Sequence, residues 1–145
     1  MPNASNFFTK EQQEDIRQAI MNAELDTSGE IRVHIENTCK GEVMDRALLI
    51  FRKLGMEKTE SRNGVLIYLA VKNRKFAIIG DKGIHKVVTE NYWDIIKNKM
   101  LEQFRENRFT EGLVEAITET GKQLKSYFPH QANDVNELTD DISFS

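Results

Sequence analysis

The chain has 145 residues, 20 of them basic and 23 acidic, for a formal charge of −3, with one cysteine and three dispersed histidines. That length suits a single domain able to bury roughly two thirds of its unfolded surface. The charge balance gives no reason to expect nucleic-acid binding, the lone Cys39 excludes an internal disulfide, and no Cys/His grouping has zinc spacing. No apolar run approaches the ~20 residues that span a bilayer and the first residues lack a leader pattern, so a soluble, cytoplasmic monomer without a membrane span is expected.

Thr9 and Gln12 have capping-box spacing, and Ile16, Ala19, Ile20 and Ala23 share one face, which predicts a helix over 10–23. Turn formers fill 24–29. Over 30–36, Ile31, Val33 and Ile35 alternate with Arg32, His34 and Glu36, the period of a strand with one wetter face, placed near the sheet margin. His34 reads there as a partly exposed strand residue. A helix over 41–54 follows, with Val43, Ala47, Ile50, Phe51 and Leu54 at helical spacing and Gly55 placed to end it in the left-handed conformation.

The apolar runs 65–71 and 76–79, split by Lys72-Asn73-Arg74, read as an antiparallel hairpin covered on both faces at the middle of the sheet. Strand, helix, strand in that order favours a right-handed crossover, which makes 30–36 parallel to 65–71. The hairpin returns Gly80 and Asp81 to the side of 60–63. Residues 85–88 fit a helical turn or a brief strand. Thr89 then caps a helix carrying Trp93, Ile96, Met100 and Phe104, a stripe that reads as core. The last helix starts near Thr110, packs Leu113, Ile117, Leu124 and Phe128, and is stopped before Pro129. The domain thus covers 10–129, between an N-terminal segment 1–9 and an acidic tail 130–145. Val135, Leu138, Ile142 and Phe144 suit that tail to docking on the surface or the sheet edge.

This layout gathers Glu24, Asp26, Glu30, Glu57, Glu60 and Asp81 at one edge, beside Thr27, Ser28, Thr59, Ser61 and Asn63. Crowded carboxylates repel unless they protonate, spread into water or share a cation. An all-oxygen set suits calcium, magnesium or manganese rather than zinc or copper. The neighbouring Gly29, Gly64, Gly80 and Gly83 would let the backbone turn tightly. An EF-hand is excluded, because counting from Asp26 glycine comes fourth and Asn37 twelfth. Against the metal reading stand ordinary loop and capping roles for the acids, and neutralisation by Lys58, Arg62 or Lys82. No serine elbow, Walker loop or cysteine phosphate cradle is present.

The motifs Thr27-Ser28-Gly29-Glu30-Ile31-Arg32-Val33, Arg46-Ala47, Phe51 to Gly55, Arg62-Asn63-Gly64-Val65-Leu66-Ile67-Tyr68 and Ile79-Gly80-Asp81-Lys82-Gly83-Ile84, in that order, resemble the TPM domain family over 11–129. The resemblance implies a three-layer α/β/α sandwich with a small mixed central sheet of about four strands, flanked by about four helices. Family members are often secreted or membrane-tethered, and some plant relatives are linked to acid phosphatase activity and to upkeep of photosynthetic complexes. Calcium has been found on similar domains. Mapped by motif, Asp81 and Glu30 are the implied metal residues; Glu24, Asp26 and Glu60 come from loop geometry alone, and Glu57 is left out as pointing to solvent. The expected function is a calcium-binding domain of regulatory or interaction type rather than an enzyme. A metal-assisted phosphatase acting on phosphate monoesters, with water as nucleophile, and a metal-free protein-interaction scaffold are the alternatives.

Overall fold

The computed structural model describes residues 6–25, 27–89, 91–129 and 142–145. Its first helix, α1 (Lys10–Glu24), opens with the expected capping box: the Thr9 hydroxyl accepts from the Gln12 amide while the Gln12 side chain accepts from the Thr9 amide. Strand β1 (Glu30–Glu36) leads to α2 (Val43–Lys53), which ends at Gly55 with φ of 71°, the left-handed turn that glycine adopts without strain. A short 3-10 turn, Met56–Lys58, precedes β2 (Gly64–Ala70) and β3 (Lys75–Gly80). The single-turn α3 (Lys82–His85), then α4 (Tyr92–Arg105), α5 (Phe109–Tyr127) and β4 (Ser143–Phe144) complete the chain order.

The four strands form one mixed sheet in the order β3-β2-β1-β4. β1 is parallel to β2, with Glu30 opposite Gly64 and His34 opposite Tyr68, and β2 and β3 form the antiparallel hairpin. Alternation along β1 and β2 sends Ile31, Val33, Ile35, Val65, Ile67 and Leu69 into a core shared with α1, α4 and α5. Leu66, Tyr68 and Ala70 point the other way, to Ala47, Ile50 and Phe51 of α2 and to Met56. The sandwich is therefore three-layered, with its sheet buried on both sides.

Three expectations are corrected. The hairpin is not central: β3 is an edge, and β1 lies inside because β4 pairs parallel to it through His34–Ser143 and Ile35–Phe144. The second face of β1 is not wet, since His34 and Glu36 are 3% and 6% exposed. Thr89 does not cap α4; its hydroxyl instead donates to the Asn91 side chain at 3.3 Å, and Asn91 occupies the cap position. The docking expected of Ile142 and Phe144 is observed, whereas Val135 and Leu138 lie outside the described residues. Phe8, in the segment assigned to the N-terminus, is buried in the larger core.

Candidate functional site

Parallel pairing of β1 with β2 and the return of β3 bring three chain segments to one end of the sheet. The Glu30 amide donates to the Asn63 carbonyl, the Asp81 amide to Gly64 and the Gly83 amide to Arg62. Gly80 and Asp81 thus sit beside 62–64, where the hairpin geometry places them. Of the nearby glycines, Gly83 has the clearest reason: a Cβ there would stand 2.2 Å from the Ser61 carbonyl oxygen. None of Gly29, Gly64, Gly80 and Gly83 has a positive φ, so they serve close approach rather than the tight turns expected of them.

The loop after α1 is anchored twice. Ser28 donates its amide to the Phe128 carbonyl at 2.9 Å, and the Thr27 hydroxyl donates to the same oxygen. The Thr27 hydroxyl also accepts from the Gly29 amide. The Glu24 carboxylate accepts from the Ile31 amide at 2.7 Å, which pins that acid to the start of β1. Asn63, 1% exposed, crosses to this loop: its side-chain nitrogen donates to the Ser28 hydroxyl at 3.2 Å, while its backbone amide donates to the Thr59 hydroxyl. The side-chain oxygen of Asn63 is buried and has no hydrogen-bond partner among the described residues.

The predicted acids divide into separate situations. Glu30 is 2% exposed at the head of β1, and Glu24 lies next to it through Ile31. Asp81 is 6% exposed, but both of its oxygens are taken by Arg62, at 2.6 and 2.9 Å, and one also accepts from the Lys82 amide. Hydrogen bonding to Asp81, reinforced by the charges of Asp81 and Glu57, holds the Arg62 guanidinium more firmly protonated than usual. Glu60 is exposed, and Asp26 lies outside the described residues. Among the described residues no three Asp, Glu, His or Cys side chains converge to hold a metal ion. Glu57, set aside from sequence as solvent-facing, is half-buried, with one carboxylate oxygen covered and unpartnered.

At the other end of β1 lies a polar cluster that sequence reasoning missed. Glu36 receives Nε and an Nη of Arg46 at 2.8 and 2.7 Å, the Tyr68 hydroxyl, and the Ser145 hydroxyl at 3.0 Å. Burial works to raise its pKa, but these donors prevail and hold it near 2. His34 stands between Ser143 and Ser145, whose hydroxyls lie 2.7 Å from Nδ1 and 2.6 Å from Nε2. Ser145 gives its one proton to Glu36, so it accepts from Nε2–H, whereas the single proton of the Ser143 hydroxyl is shared between Nδ1 and the Val33 carbonyl, 3.3 Å away. Burial pushes His34 down to about 4, with the Glu36 charge opposing and Arg46, Arg32 and Lys53 assisting. The available signal was Tyr68, a phenol in an aliphatic run whose hydroxyl needs a buried partner.

A family model described as TPM domain matches residues 3–123. The solution NMR structure of the BA42 protein from the psychrophilic bacterium Bizionia argentinensis is similar over 96% of both chains, with 45% identity and a TM-score of 0.89. The N-terminal domain of a Porphyromonas gingivalis (P. gingivalis) protein covers 89% of this chain and 85% of its own, at 19% identity and a TM-score of 0.72. The N-terminal domain of the cg2496 protein from Corynebacterium glutamicum covers 89% and 80%, at 14% identity and 0.67, and both of these show the fold alone. No curated protein matches the sequence.

Proposed function

The chain belongs to the TPM domain family, and on that premise we propose that it is a divalent-cation-binding domain of regulatory or interaction type, with calcium the preferred ion. The observation that carries this reading is the Asn63 side-chain oxygen, buried between the 24–30 and 56–63 loops with no donor to it among the described residues. An unsatisfied buried acceptor costs about 1–3 kcal/mol, and a hard cation satisfies it without supplying a proton. Glu24 at the end of α1 and Glu30 at the start of β1 contribute charge, and the Ser28 and Thr59 hydroxyls add neutral oxygens. A donor set mixing few carboxylates with neutral oxygens suits calcium, which takes roughly six to eight oxygens in flexible geometry, better than the stricter octahedron of magnesium or manganese.

In this reading the remaining acids have distinct parts. Asp81 joins only by leaving Arg62, so that ion pair competes with the cation. Glu60 is a rim residue, and Asp26 falls in sequence between Glu24 and the anchored Thr27. Because Asn63 already ties the two loops through Ser28, a cation would tighten an existing junction. By mass action it would stabilise the fold by ~2.7 kcal/mol at a hundredfold excess over the dissociation constant.

Calorimetric titration of chelator-treated protein with calcium, then magnesium, tests the reading. Saturable calcium binding that weakens about tenfold or more in both Asn63→Ala and Glu30→Gln is expected, since the first removes an oxygen ligand and the second the negative charge of another. Absence of binding at millimolar ion, or wild-type affinity in both variants, contradicts it.

A further inference from the structure

At the end of the sheet opposite the acidic loops, the β2–β3 turn, the end of α4 and the start of α5 enclose an apolar pocket of about 120 Å³. Its walls include four phenylalanines in mutual edge or tilted contact. Phe7 meets Phe109 with ring centroids 5.2 Å apart, Phe76 meets Phe104 at 5.4 Å, and Phe104 meets Phe109 at 5.0 Å. Arg74 and Arg105 complete the lining, and Arg74 lies over the Phe109 ring at 5.4 Å.

Neither guanidinium has a carboxylate partner among the described residues; both arginines are exposed, and because the lining as a whole is almost entirely apolar, their charged ends stand at the pocket's rim rather than inside it. Lys72, Arg74 and Lys75 give the turn a local excess of positive charge. The volume is close to the roughly 150 Å³ of an engineered apolar cavity that admits benzene. Edge-to-face rings extend naturally to one more aromatic ring, and a guanidinium fork matches a carboxylate through paired, charge-assisted hydrogen bonds.

We propose that this pocket binds a small aryl carboxylate, its ring among Phe7, Phe76, Phe104 and Phe109 and its carboxylate held by Arg74 and Arg105. The site is independent of the cation reading, because it lies at the other end of the sheet and uses none of the same residues. Ring burial supplies affinity that a free carboxylate lacks, and the two arginines select the anion over its neutral counterpart.

The test titrates 3-phenylpropionate into the full chain and follows backbone and aromatic NMR signals, with 3-phenylpropanamide as the neutral isostere. Arg105→Gln and Arg74→Asn are the variants; asparagine is chosen at 74 because that residue has a φ of 50°, which asparagine tolerates. Saturable shifts at Phe76, Phe104 and Phe109 are expected, with affinity for the amide, and of the double variant for the acid, about tenfold lower. Spectra of the double variant that match wild type outside the pocket show that its fold is intact. Absence of saturable shifts at these residues overturns the proposal, and so does equal affinity for acid and amide. Unchanged affinity in the folded double variant overturns the assignment to the arginines.

Discussion

Arg62 and Asp81 pose the sharpest question at the level of single residues, because one ion pair occupies the acid that the sequence most directly offers to a metal. Arg62 itself has a φ of 51°, so the loop holds it in an uncommon backbone conformation while its guanidinium grips Asp81. Arg62→Gln leaves a buried carboxylate with little beyond the Lys82 amide. The expected result is a thermal midpoint lower by several degrees and, with the carboxylate freed, tighter calcium binding. Thermal denaturation with and without calcium reads both, and a variant whose calcium affinity is unchanged would separate Asp81 from the proposed cation. Titration behaviour is set by the other cluster. His34 drops from 6.5 to about 4 on folding, so as pH falls the unfolded chain takes up the proton first; stability is full above about 6.5 and declines down to about 4. Glu36, held near 2 against an ordinary 4.5, contributes stability above 4.5 that is lost as pH falls towards 2. Both act in the same direction in successive windows. Urea denaturation should show a loss on the order of 2 kcal/mol between pH 7 and pH 4.5 that His34→Asn removes.

At the scale of elements, two short segments carry more than their length suggests. Strand β4 has two residues, yet the hydroxyls of Ser143 within it and Ser145 just after it lie against both nitrogens of His34 and one oxygen of Glu36. Deleting 142–145 should let water reach the imidazole and move its pKa up towards 6.5, followed by the ring-proton shifts across pH; an unmoved titration would show that β2 and α2 alone set it. The turn into α3 depends on contact at Gly83. Gly83→Ala drives a methyl into the Ser61 and Arg62 carbonyls, which are backbone and cannot swing aside. A loss of about 2 kcal/mol or more in denaturant unfolding is expected, together with weaker calcium binding because 61–63 must shift. Gly121 plays the matching part between helices, where α5 approaches α1 so closely that a Cβ would meet that of Ala23 at 2.6 Å.

Across the whole molecule, features with a strong period or a tight chain constraint were legible. The hairpin, the parallel pairing of β1 with β2, the capped α1, the left-handed Gly55 and the return of Asp81 to residues 62–64 all follow from local spacing and short connections. Alternation in β1 was read correctly for Ile31, Val33 and Ile35 and misread for His34 and Glu36. Polar residues on one face signal water unless a remote donor covers them, and here the donors come from Arg46 and from Ser143 and Ser145, more than a hundred residues on. The same reasoning explains Glu57 and Asp81: periodicity places a loop, but which cation a loop carboxylate meets is decided by side-chain packing. The family resemblance from ordered motifs is matched by the TPM domain model over residues 3–123. Among the described residues no helix is long and apolar enough to cross a membrane.

The cation site proposed around Asn63 lies between the loops at the start of β1 and β2. The most direct measurement follows backbone amide signals by NMR as calcium is added to chelator-treated protein, with magnesium in parallel. Saturable calcium shifts concentrated at residues 24–31, 59–63 and 80–83 are expected, smaller with magnesium and reduced in Asn63→Ala. Shifts that do not saturate, or that scatter over exposed acids such as Glu14 and Glu106 while residues 59–63 stay still, would contradict it.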